Sequence, residues 1–151
     1  QIIYSVPSHI EMIRLVKGAG LDFDQSLLNP ANNVVNYNSV KSEAFNIGVY
    51  GADLSYISIF EQSQEVLNYF SAIKTLADAL GISEVITDKN IQVFENNFDN
   101  HDSLVYLVSN LYYRIDASLS ESDMGYVSAL VVSGGWIESL HILLINASEM
   151  K

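Results

Sequence analysis

Residues 124–145 read MGYVSALVVSGGWIESLHILLI, twenty-two residues with one formal charge, Glu138. Such a run is long enough to cross the ~30 Å hydrocarbon core of a bilayer. Against that, Glu138 and His141 lie well inside it, and an acid at the bilayer centre is costly. Ser128, Ser133 and Ser139 with Gly125, Gly134 and Gly135 dilute the hydropathy. No basic cluster flanks the run, and only Lys151 follows. A helix that is apolar on every side is what the centre of a helical bundle requires. The expectation is a helix from about Asp123 to Asn146, capped by Ser122, enclosed by its fellow helices and not spanning a membrane.

The rest of the chain supplies those fellows. A first helix is predicted over Pro7 to Lys17, with Ser5 as cap, Pro7 in the first turn and Gly18 and Gly20 ending it. Ile10, Ile13, Leu15 and Val16 form its apolar face. Residues 21–38, rich in Asn and Asp, read as a loop with room for one short turn. A second helix runs from about Ser39 to Phe60, on the spacing of Val40, Ala44, Ile47, Gly51 and Leu54. A third runs from about Gln62 to Leu80 on the stripe Val66, Phe70, Ile73, Ala77 and Leu80, and Gly81 stops it. The link between these two is short, so they are either antiparallel neighbours or one kinked helix. A short helix follows from about Asp88 to Asn97, capped by Thr87, with Ile91, Phe94 and Phe98 on one side. Another starts at Asp102 or Ser103, turns Leu104, Val108, Leu111 and Ile115 inward and frays near Ser120. No strand alternation and no fixed-period repeat appears. The fold class is all-α: one domain over 1–151, four long helices in a bundle plus one or two short ones.

Charge and composition narrow the partners. Eighteen acids against seven bases give a net charge of −11, which disfavours nucleic acid and anionic membrane surfaces. The acids are scattered, as on a solvated surface. There is no cysteine, so disulfides, thiolate catalysis and Cys-ligated zinc are excluded, while the compartment stays open. No signal-peptide pattern opens the chain, and Gln1 is not a natural start, so a trimmed or mature form is expected.

Four glycines fall inside predicted helices: Gly48, Gly51, Gly134 and Gly135. Each costs about 1 kcal/mol relative to alanine in an exposed helix interior, so close backbone approach must offset them. Ala44, Gly48 and Ala52 lie on one ridge, expected to pack on the last helix near Gly134 and Gly135. The alternative is that the glycines leave room for a ligand.

Three acids have apolar or aromatic helical neighbours: Asp53, Asp116 and Glu138. Buried acids need partners or become neutral. Tyrosine hydroxyls, Arg14 or Arg114 could satisfy them within a network that fixes helix register. The sharper alternative is a polar pocket in the bundle core. Tyr50, Asp53, Tyr56, Asp116, Trp136 and Glu138 are its candidate ligand-binding residues. No catalytic residue is nominated. Glu138-Ser-Leu-His141 matches the Glu-x-x-His of di-iron bundles, but that architecture needs two copies plus further glutamates. Glu138 and His141 are therefore only weak metal candidates, and His141 reads as a satisfied core histidine. Asp99, Asn100 and Asp102 lack the rest of a calcium loop. No nucleophile elbow or phosphate loop is present, and no cofactor is expected.

The segments VPSHIEMIRLVKGAG (6–20), NIGVYGADLSYISIF (46–60), EVLNYFSAIKTLADALGI (65–82) and GGWIESLHI (134–142) together resemble a group of uncharacterised secreted proteins or lipoproteins of Bacteroidetes-type bacteria. The resemblance spans Val6 to about Ile142 and implies an exported, envelope-associated helical protein. A lipid-bearing cysteine would have to lie upstream of Gln1. The resemblance carries no activity and no functional residue. The leading expectation is a non-catalytic envelope protein that binds a partner or a small ligand. The alternatives are a structural or assembly protein without a ligand site, and an acid–base or metal-dependent enzyme using core carboxylates.

Overall fold

A computed structural model describes residues 7–149. They form six α-helices: α1 (His9–Gly18), α2 (Val40–Ile59), α3 (Val66–Ala79), α4 (Asp88–Glu95), α5 (His101–Glu121) and α6 (Gly125–Ser148), and no strand occurs among the described residues. Four are long, and α1 and α4 are the short additions, as the hydrophobic periodicity implies.

Local chemistry sets the boundaries. Ser8 caps α1 in a reciprocal box with Glu11, the Ser8 hydroxyl accepting from Glu11 N and the Glu11 carboxylate accepting from Ser8 N. Pro7 therefore precedes the cap instead of opening the helix, and the expected Ser5 cap lies outside the described residues. Ser39 with Ser42 and Thr87 with Asn90 form the same box at α2 and α4. Asn100 caps α5, one turn earlier than Ser103 would. Ser122 is the C-cap of α5 and not the N-cap of α6, which starts at Gly125 without a side-chain cap. A break at Glu61, where φ is +59°, separates α2 from a 3-10 turn (Ser63–Glu65) that leads into α3, so the two are distinct helices packed together. Residues 21–38 hold two 3-10 turns, Gln25–Leu27 and Ala31–Asn36, where one was expected.

The centre of the molecule is α2, not α6. Helix α2 lies against α1, α3, α5 and α6, and fifteen of its twenty residues are buried. Helix α6 packs one face on α2 and α1 and presents the other outward: Val132, Ile137 and Leu144 are 61, 51 and 57% exposed. The expected enclosure of α6 is thus overturned. It remains the helix among the described residues that is long and apolar enough to cross a membrane by length and composition, with one third of its most apolar window buried. Two expected core residues are also exposed, Leu15 and Val40, and Met12 takes the inward place in α1.

The glycine ridge packs as expected. A methyl at Gly48 would fall on the Val131 carbonyl and within 2.6 Å of Gly135 N, and one at Gly134 would meet the Phe45 carbonyl. Removing side chains here lets the α2 and α6 backbones touch, which is the gain that offsets the helix-propensity cost.

Candidate functional site

Close approach of α2 and α6 brings Asp53 and Glu138 together. Asp53 is fully buried, and the Glu138 carboxyl lies at hydrogen-bonding range of it. Asp53 Oδ2 accepts from Asn29 N at 3.1 Å. Asp53 Oδ1 and Glu138 Oε1 are both buried and have no hydrogen-bond partner among the described residues. Burial, and after it the neighbouring Glu138 carboxyl, push the Asp53 pKa well above the usual carboxylate range. Protonation of Asp53 would supply a donor where the two carboxyl groups otherwise offer acceptors alone.

Tyrosines surround the pair without bonding to it. The Tyr50 hydroxyl donates to Pro30 O at 3.0 Å, and the Tyr112 hydroxyl donates to Gly48 O at 2.5 Å. Burial raises the pKa of Tyr50, Tyr69 and Tyr112, and the proximity of Asp53 adds to it. Tyr112 reaches α2 because Gly51 has no side chain; a Cβ there would overlap the phenol ring. The glycine thus makes room for the protein's own tyrosine and not for a ligand. Neither arginine serves the acids: Arg14 is exposed, and Arg114 donates to Glu84 O at 3.0 Å.

The Asn-rich segment 21–38 closes the other side of α2 through its own polar groups. Asn29 Nδ2 donates to the Tyr37 hydroxyl at 2.9 Å, and Asn33 Nδ2 donates to Asn29 Oδ1 at 2.8 Å. Tyr56 belongs to this closure and not to the acid pair. Its hydroxyl accepts from Asp24 N at 2.8 Å and from Asn146 Nδ2 at 3.2 Å. Asn29 was not singled out by sequence, because nothing in an Asn-rich stretch tells which backbone amide meets a distant carboxylate.

Asp116 and Trp136 lie elsewhere again. They line a cleft of about 350 Å³ between the start of α1, α5 and α6, together with His9, Tyr112, Tyr113, Ser128 and Val132. The Ser128 hydroxyl donates to Asp116 Oδ1. His9 stacks on Tyr112 with ring centroids 4.1 Å apart, its Nε2 is buried without a partner, and burial lowers its pKa to about 4. Neither Asp53 nor Glu138 lines this cleft. Tyr112 lines the cleft and sets its hydroxyl on the Gly48 carbonyl of α2. The single expected pocket is therefore split. Asp53 and Glu138 meet in the interior with Tyr50 nearby, Asp116 and Trp136 meet at the cleft, and Tyr56 joins neither.

The weak metal candidates diverge: the Glu138 carboxyl meets Asp53, while His141 is exposed rather than a core histidine. Among the described residues no group of three or more acids and histidines is placed to hold a metal ion. His9 and Ser128 are the cleft residues that sequence patterning missed. A histidine at a helix start and a serine in an apolar run carry no signal until α1 and α5 are brought beside α6.

The fold defines an all-α protein, a bundle built around a central second helix. Comparison of the chain with protein-family models, with curated proteins and with solved structures finds no match in any of the three.

Proposed function

We propose that this protein is a non-catalytic, envelope-associated binding protein that holds a small, largely apolar ligand in the cleft between α1, α5 and α6. The observation that carries the proposal is the cleft itself: about 350 Å³, walled by Tyr112, Tyr113, Val131, Val132 and Trp136. This volume suits a small molecule, and apolar walls with few polar groups are the usual build of such sites. The paired interior acids, Asp53 and Glu138, do not line the cleft, and Asp116 stands there as its single acid, which favours holding over turnover. Helix α6 serves as a wall of the globule in this reading, supported by its glycine-mediated contact with α2. The envelope setting rests on the resemblance carried by segments 6–20, 46–60, 65–82 and 134–142. Recovery of the native protein from the cytosolic fraction of its host would overturn that part.

Trp136, the single tryptophan, reports on the cleft directly. Titration with the neutral dye 1-aminoanthracene should quench its fluorescence saturably, and Val132→Glu should abolish the effect while leaving the helical circular-dichroism spectrum intact. Val132 is mostly exposed, so the substitution tests the cleft and not the core. Absence of saturable quenching in the wild-type chain would overturn the proposal. Self-association through the outward face of α6 would instead support an assembly protein, a second reading that the exposure of Ile137 and Leu144 favours.

A further inference from the structure

The walls of the cleft specify a charge as well as a shape, a preference that rests on the cleft being a ligand site. Three aromatic rings, Tyr112, Tyr113 and Trp136, border the same space as the Asp116 carboxylate. Tyr113 is 72% exposed and Trp136 37%, so their rings are open to an incoming molecule. Ring faces carry the negative end of the aromatic quadrupole and attract cations. Asp116 engages the Ser128 hydroxyl through Oδ1 and makes no ion pair among the described residues. Among the described residues no lysine or arginine lines the cleft. His9, at its inner edge, is neutral at physiological pH because burial depresses its pKa. The start of α1 would otherwise attract an anion, but the Glu11 carboxylate already occupies it, accepting from Ser8 N at 2.7 Å. A net charge of −11 adds a long-range preference of the same sign.

We infer that the cleft takes an organic cation, a quaternary or protonated amine on a compact apolar body, with its charge held between the aromatic rings and Asp116. An anionic ligand would meet the Asp116 carboxylate and, among the described residues, no cationic side chain. A neutral ligand of the same shape would gain nothing from the Asp116 carboxylate, which is exposed at the cleft rim and solvated when the cleft is empty.

The test uses two probes of one shape, choline and its carbon isostere 3,3-dimethylbutan-1-ol, titrated into the full chain with Trp136 fluorescence and calorimetry as readouts. Choline should bind severalfold tighter than the isostere, the range expected of cation–π contacts at partly exposed rings. Asp116→Asn should erase most of that preference, Asp116→Glu should keep part of it, and Tyr113→Leu should weaken choline more than the isostere. Raising the salt concentration should weaken choline alone. Equal binding of the two probes would overturn the inference while leaving the cleft as a ligand site. Failure of choline to bind where the neutral dye still does would overturn it in the same way. Choline binding that is indifferent to Asp116 and Tyr113 substitutions would place the cation elsewhere and also overturn it. Failure of both probes and of the dye would remove the ligand site itself.

Discussion

Asp53 and His9 are buried titratable groups whose protonation opposes each other in sign. Asp53 holds its proton in the folded chain but loses it near pH 3.8 when unfolded. Above that pH the folded state binds the extra proton. Its contribution to stability is therefore fully present below the unfolded value and drains away as pH rises towards the raised folded value. His9 behaves oppositely. Its pKa falls from 6.5 to about 4 on folding, so the unfolded chain binds more protons between those values and stability is lost as pH falls through that window. A shift of this size corresponds to about 3 kcal/mol. Asp53→Asn keeps a donor for Glu138 and an acceptor for Asn29. Thermal melts should show the variant less sensitive to rising pH than the wild type between pH 5 and 9. An unchanged slope would mean that the proton is not shared where the geometry puts it. His9→Phe, which preserves stacking on Tyr112, should flatten the decline between pH 6.5 and 4; retention of the full decline would point to another group. Part of this site is legible in sequence. Asp53 and Glu138 are marked by their apolar helical neighbours, and the glycines around them signal close approach. What sequence does not show is the direction of each side chain about its helix, and that separates Asp116, Trp136 and Tyr56 from the pair.

Helix ends repeat one device. Each of α1, α2, α3 and α5 closes on a residue with positive φ whose two neighbouring amides bond back into the last turn. At α3, Gly81 N donates to Asp78 O at 3.1 Å and Ile82 N donates to Ala77 O at 3.0 Å. Gly20 and Gly81 adopt the left-handed conformation without strain, but Glu61 and Asp123 adopt it with a Cβ, at about 1–2 kcal/mol each. Glu61→Gly should therefore raise stability by about 1 kcal/mol in denaturant unfolding, after the flexibility of the unfolded glycine is deducted; a loss of stability would show that Glu61 makes a compensating contact. Gly48→Ala should destabilise by about 1–3 kcal/mol or more, because its methyl meets α6 backbone and not a movable side chain. Gly125→Ala, which meets nothing within 4 Å, is the control and should be neutral or stabilising in the same assay. Equal effects would sink the α2–α6 contact. Glycine marks two of these four stops in the sequence. Asp123 carries no such mark: the turn there accompanies Met124, three residues past the end of α5, which packs against the core. Similar local logic explains the capping boxes: Thr87 and Ser39 stand out before helical runs, whereas Ser8 is masked by Pro7 beside it.

On the scale of the whole molecule, charge is left largely unpaired. Eighteen acids face seven bases, and the one contact between a lysine or arginine and an acid among the described residues is Lys74 with Asp78 at 2.9 Å. Self-repulsion of this kind is screened by salt, so the melting temperature should climb as ionic strength rises from about 10 mM to about 0.5 M. A flat response would mean that the acids are spaced widely enough not to interact. The all-α class and the four long helices follow from periodicity, but the choice of central helix does not. Helix α2 looks the more polar of the two apolar runs because of Asp53, Ser55 and Ser58. Those serines turn their hydroxyls back onto the carbonyls of Gly51 and Leu54, at 2.9 and 2.7 Å, and Asp53 pairs with Glu138. The polar atoms are neutralised locally, and the helix that reads as half-soluble is the one that is buried. Helix α6 reads as wholly apolar yet forms a wall, with Val132 and Trp136 bordering the cleft and Ile137 and Leu144 turned to solvent. Because the main cover of α2 comes from α6, with three helices between them along the chain, a growing polypeptide must carry that face of α2 uncovered until α6 has left the ribosome. A chain stopped short of Gly125 would keep its most water-averse surface open, and should be found with chaperones or in aggregates instead of as a smaller soluble domain.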